Sequence, residues 1–264
     1  MMRGYYLLLQ KGKLNMLLEN KVAVIYGGGG PIGGAVAKAF AREGATVFVA
    51  GRTQEKLNKV ASEIRAKGGK VETAVVDALD EKAVNKFVDD VVKQAGQIDI
   101  SFNVIGVGDV QKPLEEISVD EFLQPIINSM RTHFITDKAA LPHMIKRKSG
   151  VMMAFGGGGT QTVAGIGGFK VALDALEGLR RQFALEYGQY GIRVVTLKTG
   201  GIPETLDPNF DARDEITKAT LEGTLLKRAA TLEDVGNVAA FVASDLARTL
   251  TSTDVNISCG AIVD

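Results

Sequence analysis

Val22-Ala23-Val24-Ile25-Tyr26-Gly27-Gly28-Gly29-Gly30-Pro31-Ile32-Gly33 runs from an apolar stretch through four glycines into a new periodicity. Val22 to Ile25 predicts a strand buried on both faces. Beyond the glycines, Ile32, Val36, Ala39 and Phe40 recur at helical spacing and mark the apolar side of a helix. A strand that turns tightly into a helix N-terminus aims backbone amides at one point, and an anionic phosphate group fits there. Gly27 is expected to make the tight turn and Gly33 to let the helix pack closely. Gly30 and Ile32 are expected among the cofactor-binding residues of the same turn. The other reading is a purely structural turn, with Gly28, Gly29 and Gly30 as a flexible loop. No Gly-Lys-Ser/Thr ending follows, which disfavours an ATP-type phosphate loop.

Working outward, strand and helix signals alternate to the C-terminus. Thr46–Ala50, Val71–Val76, Ile98–Phe102, Val151–Phe155 and Ile192–Leu197 read as strands, with Asp254–Ile257 as a last short one. Helical patterns cover Gln54–Ala66, the Val84–Val92 stretch, Val119–Met144 (with Pro125 in an early turn or at a kink), Phe169–Tyr187, Ile216–Leu221 and Glu233–Ser244. This order predicts a doubly wound, mostly parallel α/β sheet with helices on both faces, a Rossmann-like fold.

The chain has 264 residues, 45% of them apolar, and no linker-like stretch divides it. Residues 17–264 therefore read as one dinucleotide-binding domain. Residues 1–16 read as an N-terminal extension or arm. Tyr5-Tyr6-Leu7-Leu8-Leu9 is too short to span a membrane, and no small-residue cleavage site follows it. Thirty-one basic residues balance 31 acidic ones, which argues against a broad nucleic-acid footprint. Cys259 is the single cysteine and fits a reducing, cytoplasmic setting. His133 and His143 have no metal-ligand spacing, so no metal site is expected.

The second strand ends Ala50-Gly51-Arg52-Thr53. A carboxylate at this point would accept from both hydroxyls of an adenosine ribose and repel an added phosphate. Arg52 instead offers a fork of donors to a 2′-phosphate, which favours NADP(H) and leaves NAD(H) open. The plain alternative is a solvated loop arginine. Asp77, ending the third strand, is placed to accept from the adenine amino group or to serve as an ordinary strand-end aspartate.

With these residues in hand, the chain from about Leu17 to its C-terminus resembles the short-chain dehydrogenase/reductase family. The family's opening Thr-Gly-x-x-x-Gly-x-Gly stands here as Tyr26-Gly27-Gly28-Gly29-Gly30-Pro31-Ile32-Gly33. Tyr26 replaces the threonine, and Pro31 replaces the middle glycine and removes an amide. Asn103-Val104-Ile105-Gly106 matches the family's Asn-Asn-Ala-Gly at its ends, which implies that Asn103 and Gly106 lie near the cofactor ribose. Asn128 matches the asparagine that holds a relay water, and the alternative is that it satisfies buried backbone. Thr199-Gly200 stands for Pro-Gly, and the resemblance implies backbone contacts from Ile202 to the nicotinamide.

The largest departure lies in the family's catalytic register. Leu176-Glu177-Gly178-Leu179 and Gly191-Ile192-Arg193-Val194 anchor it, and it sets Gly156 at the serine, Phe169 at the tyrosine and Leu173 at the lysine. Phenylalanine cannot protonate an alkoxide, leucine brings no cation, and glycine brings no donor. Lys170, Thr160, Gln161, Thr162, Lys198 and His133 are the remaining candidates for a replacement acid.

The resemblance implies an NADP-dependent oxidoreductase-like protein of unknown substrate, acting on a small molecule if active and assembling as a homodimer or homotetramer. The alternatives are a non-catalytic NADP-binding or scaffold protein, and an isomerase or lyase on the same fold.

Overall fold

The computed structural model describes residues 16–108, 110–157, 159–160 and 162–263. The arm expected over residues 1–16 thus lies outside the described residues apart from Met16, as does Gln161.

Seven strands form one sheet: β1 (Val22–Tyr26), β2 (Thr46–Gly51), β3 (Lys70–Val75), β4 (Ile100–Asn103), β5 (Gly150–Phe155), β6 (Ile192–Lys198) and β7 (Thr253–Asn256). Their order is β3-β2-β1-β4-β5-β6-β7 and every pair is parallel. The main crossovers are α1 (Pro31–Arg42), α2 (Gln54–Ala66), α3 (Glu81–Ala95), α4 (Val119–Arg147) and α5 (Gly167–Tyr187). The return to β7 carries α6 (Arg213–Glu222) and α7 (Leu232–Ala243). The chain winds outward from β1 to β3 and then crosses back to β4. The carboxyl ends of β1 and β4 therefore flank a crevice at the point where the winding reverses.

Both faces of the sheet are covered, as the continuous apolar strands require. On one face Val36 and Phe40 of α1, Leu57 of α2 and Val235 of α7 pack on Ile25, Val49 and Phe102. On the other, Val84 and Phe87 of α3, Met144 of α4 and Phe183 of α5 pack on Val24, Phe48 and Met152. Helix starts are fixed by side chains. Ser118 and Glu121 form a capping box on α4, Thr231 and Asp234 one on α7, and Asp80 caps α3.

Helix α4 is 29 residues long and contains both Pro125 and Pro142. Pro125 stands in its second turn, where α5 crosses at backbone contact: a Cβ on Gly168 would lie 2.3 Å from Phe122 O and 3.0 Å from Pro125 Cγ.

Candidate cofactor site

A cavity of about 550 Å³ opens at the β1–β4 switch point. Of the ten residues assigned to a site from sequence, Gly27, Gly30, Ile32, Gly33, Arg52, Asp77, Gly106 and Asn128 line it.

The phosphate turn is built by close approach. Gly27 has φ +80°, and a Cβ there would lie 2.8 Å from Val104 O. A Cβ on Gly33 would lie 2.4 Å from Gly27 O, so the first turn of α1 rests directly on the loop backbone. Gly30 N–H donates to Gly27 O at 3.0 Å and closes the turn. Helix α1 has no side-chain cap and no acidic residue in its first turn. Its intrahelical ladder begins with Gly34 N–H to Gly30 O at 2.8 Å, which leaves the amides of Ile32 and Gly33 ahead of it. Pro31 at the first helical position contributes no amide but fits there without strain. An uncapped helix start beside a tight glycine turn is a place for an anion.

At the far end of the cavity, Arg52, Thr53 and Lys56 stand together around Gly51. Lys56 was not singled out from sequence. Its Cβ lies 3.0 Å from the Cβ position of Gly29, so its stem flanks the glycine turn. Asp77 lines the cavity while one carboxylate oxygen accepts from Leu79 N–H at 3.0 Å.

The other wall is polar but already bonded within the protein. Asn128 Nδ2 donates to Val107 O at 3.1 Å, and its Oδ1 accepts from Gln124 at 2.9 Å. Thr132 hydroxyl donates to Asn128 O, and Thr205 hydroxyl to Ile202 O, each at 2.8 Å. Asn103 and Ile202 do not line the cavity. Asn103 is fully buried, donates to Thr136 Oγ1 at 3.2 Å and accepts from Ile105 N–H at 3.0 Å. It shapes the turn after β4 from beneath. Ile202 is packed into the core face shared with Val235.

The loop after β5 carries Gly156, whose N–H donates to Leu197 O at 2.8 Å. Gly156 has φ +88°, and a Cβ there would lie 2.9 Å from Leu173 Cδ2. The structure therefore brings Gly156 and Leu173 together. Lys170 is engaged elsewhere: its Nζ bonds both Asp174 oxygens at 2.6 and 2.7 Å and donates to Gly159 O at 2.7 Å. Lys198 is buried and pairs with Asp254 at 2.5 Å. Thr160 and Thr162 are exposed. His133 is buried, and burial pushes its imidazole down to about 4, so it is neutral near pH 7. Among the described residues no group of three or more His, Cys, Asp or Glu side chains is placed to hold a metal ion. None of the described helices is long and apolar enough to cross a membrane.

The chain is similar to known proteins over nearly its whole length. It is 29% identical over 249 residues to the uncharacterized oxidoreductase YxbG of Bacillus subtilis (strain 168), covering 92% of this chain and 91% of that protein. It is 31% identical over 260 residues to meso-2,3-butanediol dehydrogenase of Serratia marcescens, covering 93% and 96%. The crystal structure of levodione reductase superposes with a TM-score of 0.82 at 29% identity, over 92% of this chain and 97% of that one. A family model described as enoyl-(acyl carrier protein) reductase matches residues 29–261. That span runs from the phosphate turn past the last strand, and with these relatives it shows that the chain belongs to the short-chain dehydrogenase/reductase family of oxidoreductases.

Proposed function

We propose that this chain binds NADP(H) in the switch-point cavity and lacks the family's ordinary carbonyl-reducing acid. The residues present fit a dinucleotide. The uncapped start of α1 suits the pyrophosphate, and Arg52 and Lys56 offer two cations around Gly51 where an adenosine ribose carrying a 2′-phosphate would lie. A bound nicotinamide would supply hydride chemistry. The chain's own part is to hold the phosphates on the Ile32 and Gly33 amides, to orient the ribose through Arg52, and to close the opposite wall with Asn128 and Thr205.

The observation that carries the doubt about catalysis is the contact of Gly156 with Leu173. At the positions matched to serine, tyrosine and lysine stand a glycine, a phenylalanine and a leucine, and the first and last fill one apolar space. No side chain there can polarise a carbonyl or hand over a proton. This favours a non-catalytic NADP(H)-binding role over carbonyl reduction.

The deciding experiment is a pair of titrations, NADPH and NADH, followed by a carbonyl and alcohol screen with the tighter cofactor. Tighter NADPH binding with little turnover is the expected result. Equal affinities would remove the role given to Arg52, and rapid reduction would remove the loss of acid chemistry.

Assembly as a homodimer or homotetramer in a cytoplasmic setting is part of the same reading. Ile127 and Phe134 on α4, Leu185 on α5, and Leu225 and Leu226 near the C-terminal turn are each at least half exposed, which marks apolar surface suited to a partner copy. Light scattering across a concentration series tests it, and a monomeric mass throughout would overturn it.

A further inference from the structure

Four charged side chains meet near the loop that follows β5: Glu177 and Arg180 from α5, Lys198 at the carboxyl end of β6, and Asp254 in β7. Glu177 is 8% exposed, Arg180 7% and Lys198 3%. Side chains of these types are almost never this buried unless paired. Arg180 donates from Nε and Nη2 to Glu177 Oε2 at 2.9 and 2.5 Å. Lys198 Nζ lies 2.5 Å from Asp254 Oδ2. Burial alone would raise the Asp254 carboxyl, but the hydrogen bond and charge of Lys198, with help from Arg180, outweigh it and hold it below its ordinary value. Gly157 lies against a member of each pair, Lys198 and Glu177.

A Cβ built on Gly157 would lie 3.0 Å from Lys198 Cβ, 3.4 Å from Lys198 Cδ and 3.5 Å from Glu177 Oε1. The loop backbone thus rests on the lysine stem with the carboxylate oxygen beside it. Glu177 Oε1 and Arg180 Nη1 are buried and have no hydrogen-bond partner among the described residues. Leaving such atoms unpaired is costly, and apolar side chains of the same volume would fill the space without that cost. A second grip holds the loop farther along: Gly159 O accepts from Lys170, and Gly159 N–H donates to Asp174 Oδ1 at 3.2 Å.

We propose that Glu177 and Lys198 are positioning residues, a buried ionic floor that holds Gly156 and Gly157, where the family register sets its serine, in place. In a loop whose described residues include Gly156, Gly157 and Gly159, rigidity comes from what lies beneath and beside the backbone. Position 156 offers no side chain to anchor it, so its placement depends on the floor. The role of the floor does not rest on the NADP(H) reading.

Amide hydrogen exchange of the full chain, read peptide by peptide over residues 156–162, tests the proposal. Lys198→Met should speed exchange in this loop by about tenfold or more while β1 and α1 keep their protection. Lys198→Arg, which keeps the charge, should restore it. Glu177→Gln, of the same shape, should also loosen the loop, and it decides the matter should Lys198→Met fail to fold. Unchanged loop exchange in folded variants overturns the proposal, and so does a rise spread evenly over every strand. Failure of the wild-type chain to bind NADPH would count against the proposed function alone, since loop exchange is read without cofactor.

Discussion

Gly156 and Leu173 occupy one space: a Cβ on the glycine would lie 2.9 Å from the leucine's Cδ2, and the glycine has φ +88°. Gly156→Ala should therefore lose about 1–3 kcal/mol, from left-handed backbone strain and from overpacking against Leu173. Leu173→Ala removes the second cause. Denaturant unfolding of the two single variants and the double variant should give a double that loses less than the sum of the singles. Strict additivity would mean that the two side chains do not share that space.

The glycines of the phosphate turn are unequal. A Cβ on Gly33 would meet Gly27 O at 2.4 Å, whereas one on Gly30 would meet it at 3.4 Å, an ordinary contact. Gly33→Ala should lower the melting temperature and abolish cofactor binding together. Gly30→Ala should keep the fold within about 1 kcal/mol and affect binding alone. Equal loss in both variants, seen by thermal melting and NADPH titration, would contradict this geometry.

Arg52 and Lys56 line the same end of the cavity and both are exposed. Each should contribute a charge-assisted contact to a 2′-phosphate, so either alanine variant should weaken NADPH by about tenfold and leave NADH nearly unchanged. The NADPH effect should shrink as salt is raised. Parallel losses for both cofactors would assign the two side chains to the shared pyrophosphate instead.

Much of this was legible in sequence, for physical reasons that differ from residue to residue. Val22–Ile25 and the glycines after it declare a buried strand and a tight turn through local constraints. Their consequences at Gly27 and Gly33 are what the backbone geometry shows. Lys170 and Asp174 stand four apart on a helix, and that spacing could have revealed the pair that ties up Lys170. The union of Lys198 with Asp254 could not be read this way. It joins two strands 56 positions apart through a register that only the folded sheet defines. Asn103 matched a family motif, but a motif match does not say where a side chain points, and this one is spent on Thr136.

Two buried groups on α4 give stability a pH signature. Burial raises the Asp137 carboxyl to about 8 and lowers the His133 imidazole to about 4. The folded state holds the Asp137 proton more tightly than the unfolded state between its ordinary 3.8 and about 8, so that contribution is lost as pH rises through this window. His133 acts oppositely: the unfolded state takes up its proton below 6.5, so stability falls as pH drops from there toward 4. The two slopes oppose each other between about 4 and 6.5. Above 6.5 Asp137 acts alone, at up to about 1.4 kcal/mol per pH unit. Asp137→Asn should flatten unfolding stability between pH 6.5 and 8, and an unchanged slope would show that the carboxyl is not the titrating group.

The strongest test of the proposed loss of acid chemistry is to supply the missing residue types. Gly156→Ser alone should fail, because Leu173 occupies the space its side chain needs. Leu173→Lys replaces a branched tip with a linear stem and frees that space while adding a cation. Phe169→Tyr adds a hydroxyl one helical turn earlier on the same face of α5. All three changes are therefore needed together, at some cost in stability because position 156 keeps its positive φ. Positioned acid–base catalysis is worth about 10²–10⁴-fold, so the triple variant with NADPH should show carbonyl reduction well above the parent chain. The gain should depend on pH through a group that the parent lacks, and omitting Phe169→Tyr from the set should abolish it. If the triple variant folds, binds NADPH and still reduces nothing, the proposal that a missing proton donor limits carbonyl reduction is overturned. The wall of the cavity that Thr205 lines would then be the next place to look.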